Sequence, residues 1–306
     1  MGLSVSWPLL VLMWLVLGTT QESPLTLVQL YFLGTPHRWI TFVLVLIDPS
    51  TRTHSNRWVF PLIFSLSLFL LLGWIGEGLE LLIFVDYFWN AWHFGSQHYG
   101  MARILTSQEC NISRKEWGMH KQLIRLMVVY VFCRAASIAS STDKFKLYEN
   151  YIHFNSVFLR NWDFVFMFIA SSFIFLYGLQ LASSTRQENA RKNIYLVSIS
   201  LMYLGLLIAI HFESKQWIIA LATVNGMFHA FEYLALVFHR VNKVLYSYIN
   251  VFVFSAFIAL FAWVIDVRFS LFWGYVTAFI SYVHYAYDTV IWKKPKNLKL
   301  LSLSET

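Results

Sequence analysis

Residues 79–101 read LELLIFVDYFWNAWHFGSQHYGM. A helix rises about 1.5 Å per residue, so this stretch can cross a hydrocarbon core about 30 Å thick. It contains no lysine or arginine. Its polar residues do not scatter: Asp86, Asn90, His93 and Gln97 follow one another at four, three and four residues and share one helix face. Polar side chains at membrane depth are costly unless they face a partner, a cavity or a bound group. The stretch therefore predicts a transmembrane helix with one functional face. His98 projects to one side of that face.

Comparable apolar runs lie on either side. We read spans at 4–20, 25–47, 58–76, 79–101, 121–139, 162–182, 193–211, 216–239, 246–265 and 270–292. A chain that is 58% hydrophobic and 13% charged is not an ordinary soluble domain. Long continuous runs also differ from the short alternating segments of a β-barrel. Trp58, Trp162, Trp217, Tyr246 and Trp292 flank the runs, as interfacial aromatics do. The expected fold is all-α: a polytopic transmembrane bundle of about ten helices, one domain over 1–292, followed by a basic tail over 293–306. The first span lacks a basic leader, and Gly18-Thr19-Thr20 is a poor cleavage site, so it is expected to remain as a helix.

The net charge of +7 sorts by loop and does not indicate nucleic acid. One set of connections holds Arg52, Arg57, Arg103, Arg114, Lys115, Lys121, Arg186, Arg191, Lys192, Arg240, Lys243 and the tail residues Lys293, Lys294, Lys296 and Lys299, 15 in all. The opposite set holds 5: Lys144, Lys146, Arg160, Lys215 and Arg268. This asymmetry predicts an integral, multi-pass protein of the cell or inner membrane with both termini cytoplasmic. The sequon Asn111-Ile112-Ser113 then falls on the cytoplasmic side and is discounted.

Within the second span, Gly34-Thr35-Pro36 reads as a helix restart, with Thr35 as N-cap and Pro36 at the first helical position. His37 and Arg38 follow at once. A broken helix inside a membrane is tolerated where it is buried in protein or lines a cavity. The eighth span carries Asn225, His229 and Glu232 at i, i+4 and i+7, with Tyr233 one turn after His229. Unpaired, Glu232 would cost at least about 2.5–3.5 kcal/mol near the centre of a span. The tenth span carries Thr277, Ser281, His284 and Asp288 on one face.

His37, His93, His229 and His284 each lie about 9–11 residues before the basic or polar end of their spans, which places them in one layer roughly 15 Å below one membrane face. Imidazole is the commonest protein metal ligand and suits iron, zinc, copper or nickel. Glu232 is a candidate ligand or proton acceptor and Tyr233 a candidate catalytic partner. Asp86, Asn90, Gln97, Asn225 and Asp288 are candidates for orienting the ligands. Arg38 and His98 are candidates for binding substrate. Cys110 and Cys133 are too few for a disulfide framework or a thiolate site. No span carries a lysine placed for a retinal-type Schiff base, and no phosphate-cradling loop, dinucleotide fingerprint or Ser-His-Asp order is present. His54, His120 and His153 are expected in loops, and His211 and His239 at membrane edges.

Pro36-His37, then His93-Phe94-Gly95, then His229 resemble motifs of the Brp/Blh family of membrane carotene-cleaving dioxygenases, which hold one iron with four histidines. The resemblance covers these short motifs. It implies His37, His93 and His229 as the first three ligands. The family's fourth histidine would stand one turn after His229, where this chain has Tyr233, so His284 would complete the set. Arg38-Trp39 replaces the Gly and Asp that commonly follow the first histidine there.

The expected function is a membrane-embedded metalloenzyme, a non-haem iron oxygenase using O2 on an apolar lipid or isoprenoid, with a reductant partner not specified by the sequence. Zinc or haem would use the same histidines, haem through a bis-His pair. The alternative from another class is a transporter or channel in which the intramembrane His, Asp and Glu residues carry protons or ions.

Overall fold

The computed structural model describes residues 6–17, 33–47, 59–76, 78–105, 114–139, 156–183, 187–245 and 248–291. Among them every regular element is a helix: α1 (Trp7–Leu17), α2 (Thr35–Ile47), α3 (Val59–Ile75), α4 (Leu79–Ile104), α5 (Arg114–Ala139), α6 (Ser156–Ala182), α7 (Gln187–His211), α8 (Lys215–Leu245) and α9 (Tyr248–Ile291). Four segments, Val157–Ala182, Ala190–His211, Lys215–Val237 and Val253–Asp288, are long and apolar enough to cross a membrane. Trp7–Val16 and Val59–Ile75 are shorter apolar helices. The sequon at 111–113, Cys110, His54, His153, the 18–20 site and the tail from 292 lie outside the described residues.

π-helical backbone at Leu33–Gly34 runs without a break into α2, so Thr35 is a helical residue there and not the N-cap of a restarted helix that the sequence suggested. At the α7–α8 turn, Glu213 N–H donates to the Ile210 carbonyl at 3.0 Å and Ser214 N–H to the Ala209 carbonyl at 2.9 Å. These are the paired bonds of a Schellman motif, with Glu213 at φ 54° in the place that glycine usually takes. The long α9 carries non-helical backbone at Phe269 (φ −142°, ψ 56°), between the spans read at 246–265 and 270–292.

The chain divides into two compact units. The first combines Met1–Gly34 with Ile83–Leu236, and so holds α1, most of α4 and α8, and all of α5–α7. Its core is built on α7, whose Tyr195, Ile199, Met202, Leu206 and Ile210 are buried at helical spacing against Val128 and Val131 of α5 and Val224 and Phe228 of α8. Around it α6 presents Phe158, Phe164, Phe168, Phe175 and Leu179 to the outside. A face that apolar would be a large aggregation-prone patch in water and is ordinary against acyl chains. Gly95 sets the approach of α4 to α5: a Cβ there would stand 2.8 Å from the Arg125 Cα. Small residues at such crossings let helix backbones come close.

The second unit combines Thr35–Leu82 with Val237–Thr306. Here α9 packs on α2 and α3. Phe69 of α3 meets Tyr275, Phe279 and Tyr282 edge-on, with centroids 5.4–6.4 Å away. The Tyr282 hydroxyl donates to the Leu82 carbonyl at 2.7 Å.

Candidate metal and polar sites

In the second unit the start of α2 delivers His37 and the last turns of α9 deliver His284. Both are buried, and their rings meet edge-on with centroids 4.7 Å apart and planes at 79°. The two nitrogens of His284 face different groups. Nδ1 lies 2.6 Å from the Thr41 hydroxyl, one turn beyond His37, and Nε2 lies 3.8 Å from Asp288 Oδ2. When Nδ1–H donates to Thr41, the Nε2 lone pair points to the Asp288 side, the orientation in which a neighbouring group fixes a ligating tautomer. Arg38 is half-buried beside His37.

In the first unit α4 delivers His93 and α8 delivers His229. Their rings also meet edge-on, with centroids 5.1 Å apart at 81°. Phe94 stacks on His229 at 3.7 Å, which holds the ring plane. Gln97 Nε2–H donates to the His229 carbonyl at 2.9 Å. Asp86 and Asn90 are half-buried further up α4. Tyr233 is buried on α8.

His98 stands wholly buried in a polar cluster of the first unit that the sequence pattern did not reveal. Its Nε2 lies 3.2 Å from the Tyr203 hydroxyl and its Nδ1 2.8 Å from the Tyr195 hydroxyl. Tyr195 O–H donates to Glu232 Oε2 at 3.2 Å, and His98 Nδ1 is 3.3 Å from the same oxygen. One tautomer satisfies the whole chain: Tyr203 O–H to Nε2, Nδ1–H to the Tyr195 oxygen, Tyr195 O–H to Glu232. Buried Glu232 Oε1, Asn225 Oδ1 and half-buried Gln97's Oε1 find no hydrogen-bond partner among the described residues. Each such orphan costs about 1–3 kcal/mol, so the cluster is built short of donors.

A second network in the same unit involves Asp163, which the span reading passed over. Arg134 grips it in a fork, Nε to Oδ1 at 2.8 Å and Nη2 to Oδ2 at 3.1 Å. The Tyr130 hydroxyl lies 2.6 Å from Oδ1 and His211 Nδ1 lies 2.9 Å from Oδ2. His211 is thus buried and bonded, where an interfacial position was expected. His120 is half-buried on α5 beside Tyr177, where a loop was expected. One signal could have found the network. Asp163 is the single acid of span 162–182 and Arg134 lies deep in span 121–139, and lone opposite charges inside lipid seek each other.

Two imidazoles on one ion place their ring centroids about 3.2 Å from it, given metal–nitrogen bonds of about 2.0–2.1 Å, and hence roughly 4.5–5.3 Å from each other at tetrahedral to octahedral angles. Both histidine pairs match that spacing. Axial histidines on opposite faces of a haem would stand roughly 6.4 Å apart on the same bond lengths.

No family model matches this chain, and no curated protein or solved structure matches it either.

Proposed function

We propose that this chain is a multi-pass membrane metalloenzyme of about ten transmembrane segments, a non-haem iron oxygenase acting on an apolar lipid or isoprenoid. His37, His93, His229 and His284 are its metal ligands. The observation that supports this is the edge-on pairing of histidines from distant helices at the spacing of shared ligation, once in each unit. The donor set is nitrogen and carboxylate oxygen with no thiolate, which suits iron, and iron(II) with open positions supports oxygen chemistry.

The chain's own residues divide the remaining work. Thr41 holds the His284 ring through Nδ1, and Asp288 lies on the Nε2 side. Phe94 and Gln97 hold His229 by stacking and through its backbone. Glu232, bonded to Tyr195 and near His98, would take or return a proton; its hydrogen-bonded neighbours support this role. Arg38 would meet a polar end of the substrate. Exposed aromatic faces on α6 and α9 suit a protein that meets its substrate in the bilayer.

Elemental analysis of detergent-purified protein tests the reading. We expect bound iron, with His229→Ala and His284→Ala each losing the share held by its own pair. Protein that is folded and free of metal, or metal retained in both variants, would overturn it. A proton path is the second reading, favoured by the continuous Tyr203–His98–Tyr195–Glu232 chain. It predicts pH-coupled uptake by liposomes containing metal-free protein.

A further inference from the structure

A groove of about 510 Å³ runs along α4 in the first unit, lined by Phe84, Val85, Phe88, Trp89 and Trp92. Phe84, Phe88 and Trp92 recur every fourth residue and form one continuous apolar stripe roughly 12 Å long. The stripe ends under a cation. The Arg125 guanidinium of α5 lies over the Trp92 ring, 4.2 Å from its centroid, while Nε and Nη2 donate to Ser96 Oγ at 2.9 and 2.7 Å. About two turns beyond Trp92, Lys121 and Arg103 both lie over the Tyr99 ring, 5.6 and 5.9 Å from its centroid. Among the described residues no carboxylate comes within ion-pair distance of Arg125 or Arg103. Trp92 is 43% exposed, so the ring is pinned by the cation on one face and open on the side of the groove.

We infer that this groove is a binding site for an anionic phospholipid. Its acyl chain would lie along Trp92, Phe88 and Phe84, and its phosphate would meet Arg125, Lys121 and Arg103. Two independent features fit this occupant. The order along α4, apolar stripe then cations, matches the order of tail and headgroup. The cations also fall on the lysine- and arginine-rich side of the spans, where anionic lipids of a cytoplasmic leaflet are found. Anchored by Ser96 and Trp92, the guanidinium keeps its position with no carboxylate partner among the described residues, and a phosphate would supply an opposite charge. The site shares α4 with His93, but its rings and cations are not among the proposed metal ligands, so lipid binding does not require bound metal.

Tryptophan quenching in vesicles tests it with the full chain. Brominated phosphatidylglycerol should quench more than brominated phosphatidylcholine at equal mole fraction. That excess should fall in Trp92→Phe and vanish in the Trp89→Phe/Trp92→Phe double variant, and lipid enrichment should fall about fivefold in Arg125→Gln, the loss of one surface cation. If Arg125→Gln folds poorly, the Arg103→Gln/Lys121→Gln double variant must lower the excess instead. Equal quenching by the two lipids in the wild-type chain, or an excess unchanged in both cation variants, overturns the site. So does full competition by soluble glycerophosphate, which lacks the tail.

Discussion

Two buried carboxylates of the first unit invite comparison. Asp163 is 0% exposed and Glu232 is 1% exposed, and each is approached by a histidine and a tyrosine. Asp163 also has Arg134, and both of its oxygens are met twice. Glu232 has no arginine, and its Oε1 is unmatched among the described residues. A network with every member satisfied rigidifies its surroundings, and one left short is a place where binding or proton transfer can supply what is missing. Asp163 fastens α5, α6 and α7 together, whereas Glu232 keeps one oxygen unmatched among the described residues.

The largest effect should come from Asp163→Asn. It leaves the Arg134 guanidinium buried without its counter-charge, and such a loss costs about 3–5 kcal/mol. We expect a sharply lowered unfolding midpoint in detergent, and an unchanged midpoint would remove Asp163 from its structural role. Gly95→Ala comes next. Its methyl would press on the Arg125 backbone, and overpacking of that kind costs about 1–3 kcal/mol. Because α4 carries His93 and His98, this variant should also loosen metal retention, read by elemental analysis. Glu213→Gly should act the other way. Relief of the left-handed backbone should raise stability by about 0.5–1 kcal/mol, since the 3.8 Å exposed pair with Arg160 contributes little. The smallest change in stability belongs to Glu232→Gln: a midpoint unchanged or raised, because a neutral amide removes a buried charge that is only half satisfied. Activity or metal affinity should nevertheless fall about 10–100-fold, as with other groups that support a metal site. A Glu232→Gln variant as unstable as Asp163→Asn would erase the distinction.

Much of this was readable from the chain. The shared face of His93 and Gln97 follows from rules acting within a few residues, and so does the break near Phe269 between two apolar runs. His211, by contrast, sits at the end of its span, where sequence position alone suggests solvent. Only the arrival of Asp163 from α6 makes it a buried member of a network. Tyr195 and Tyr203 look like ordinary aromatics of an apolar run until α4 brings His98 between them.

The sequence by itself determined the solvent this protein is built for and which polar residues stand on which helix faces, because hydrophobic length and the 3.6-residue repeat are local properties. Which face meets which was decided by the tertiary structure. The pairing of His37 with His284 and of His93 with His229, and the contrast between a saturated Asp163 and an unsaturated Glu232, depend on the close packing of side chains far apart in the chain, and no local rule encodes that.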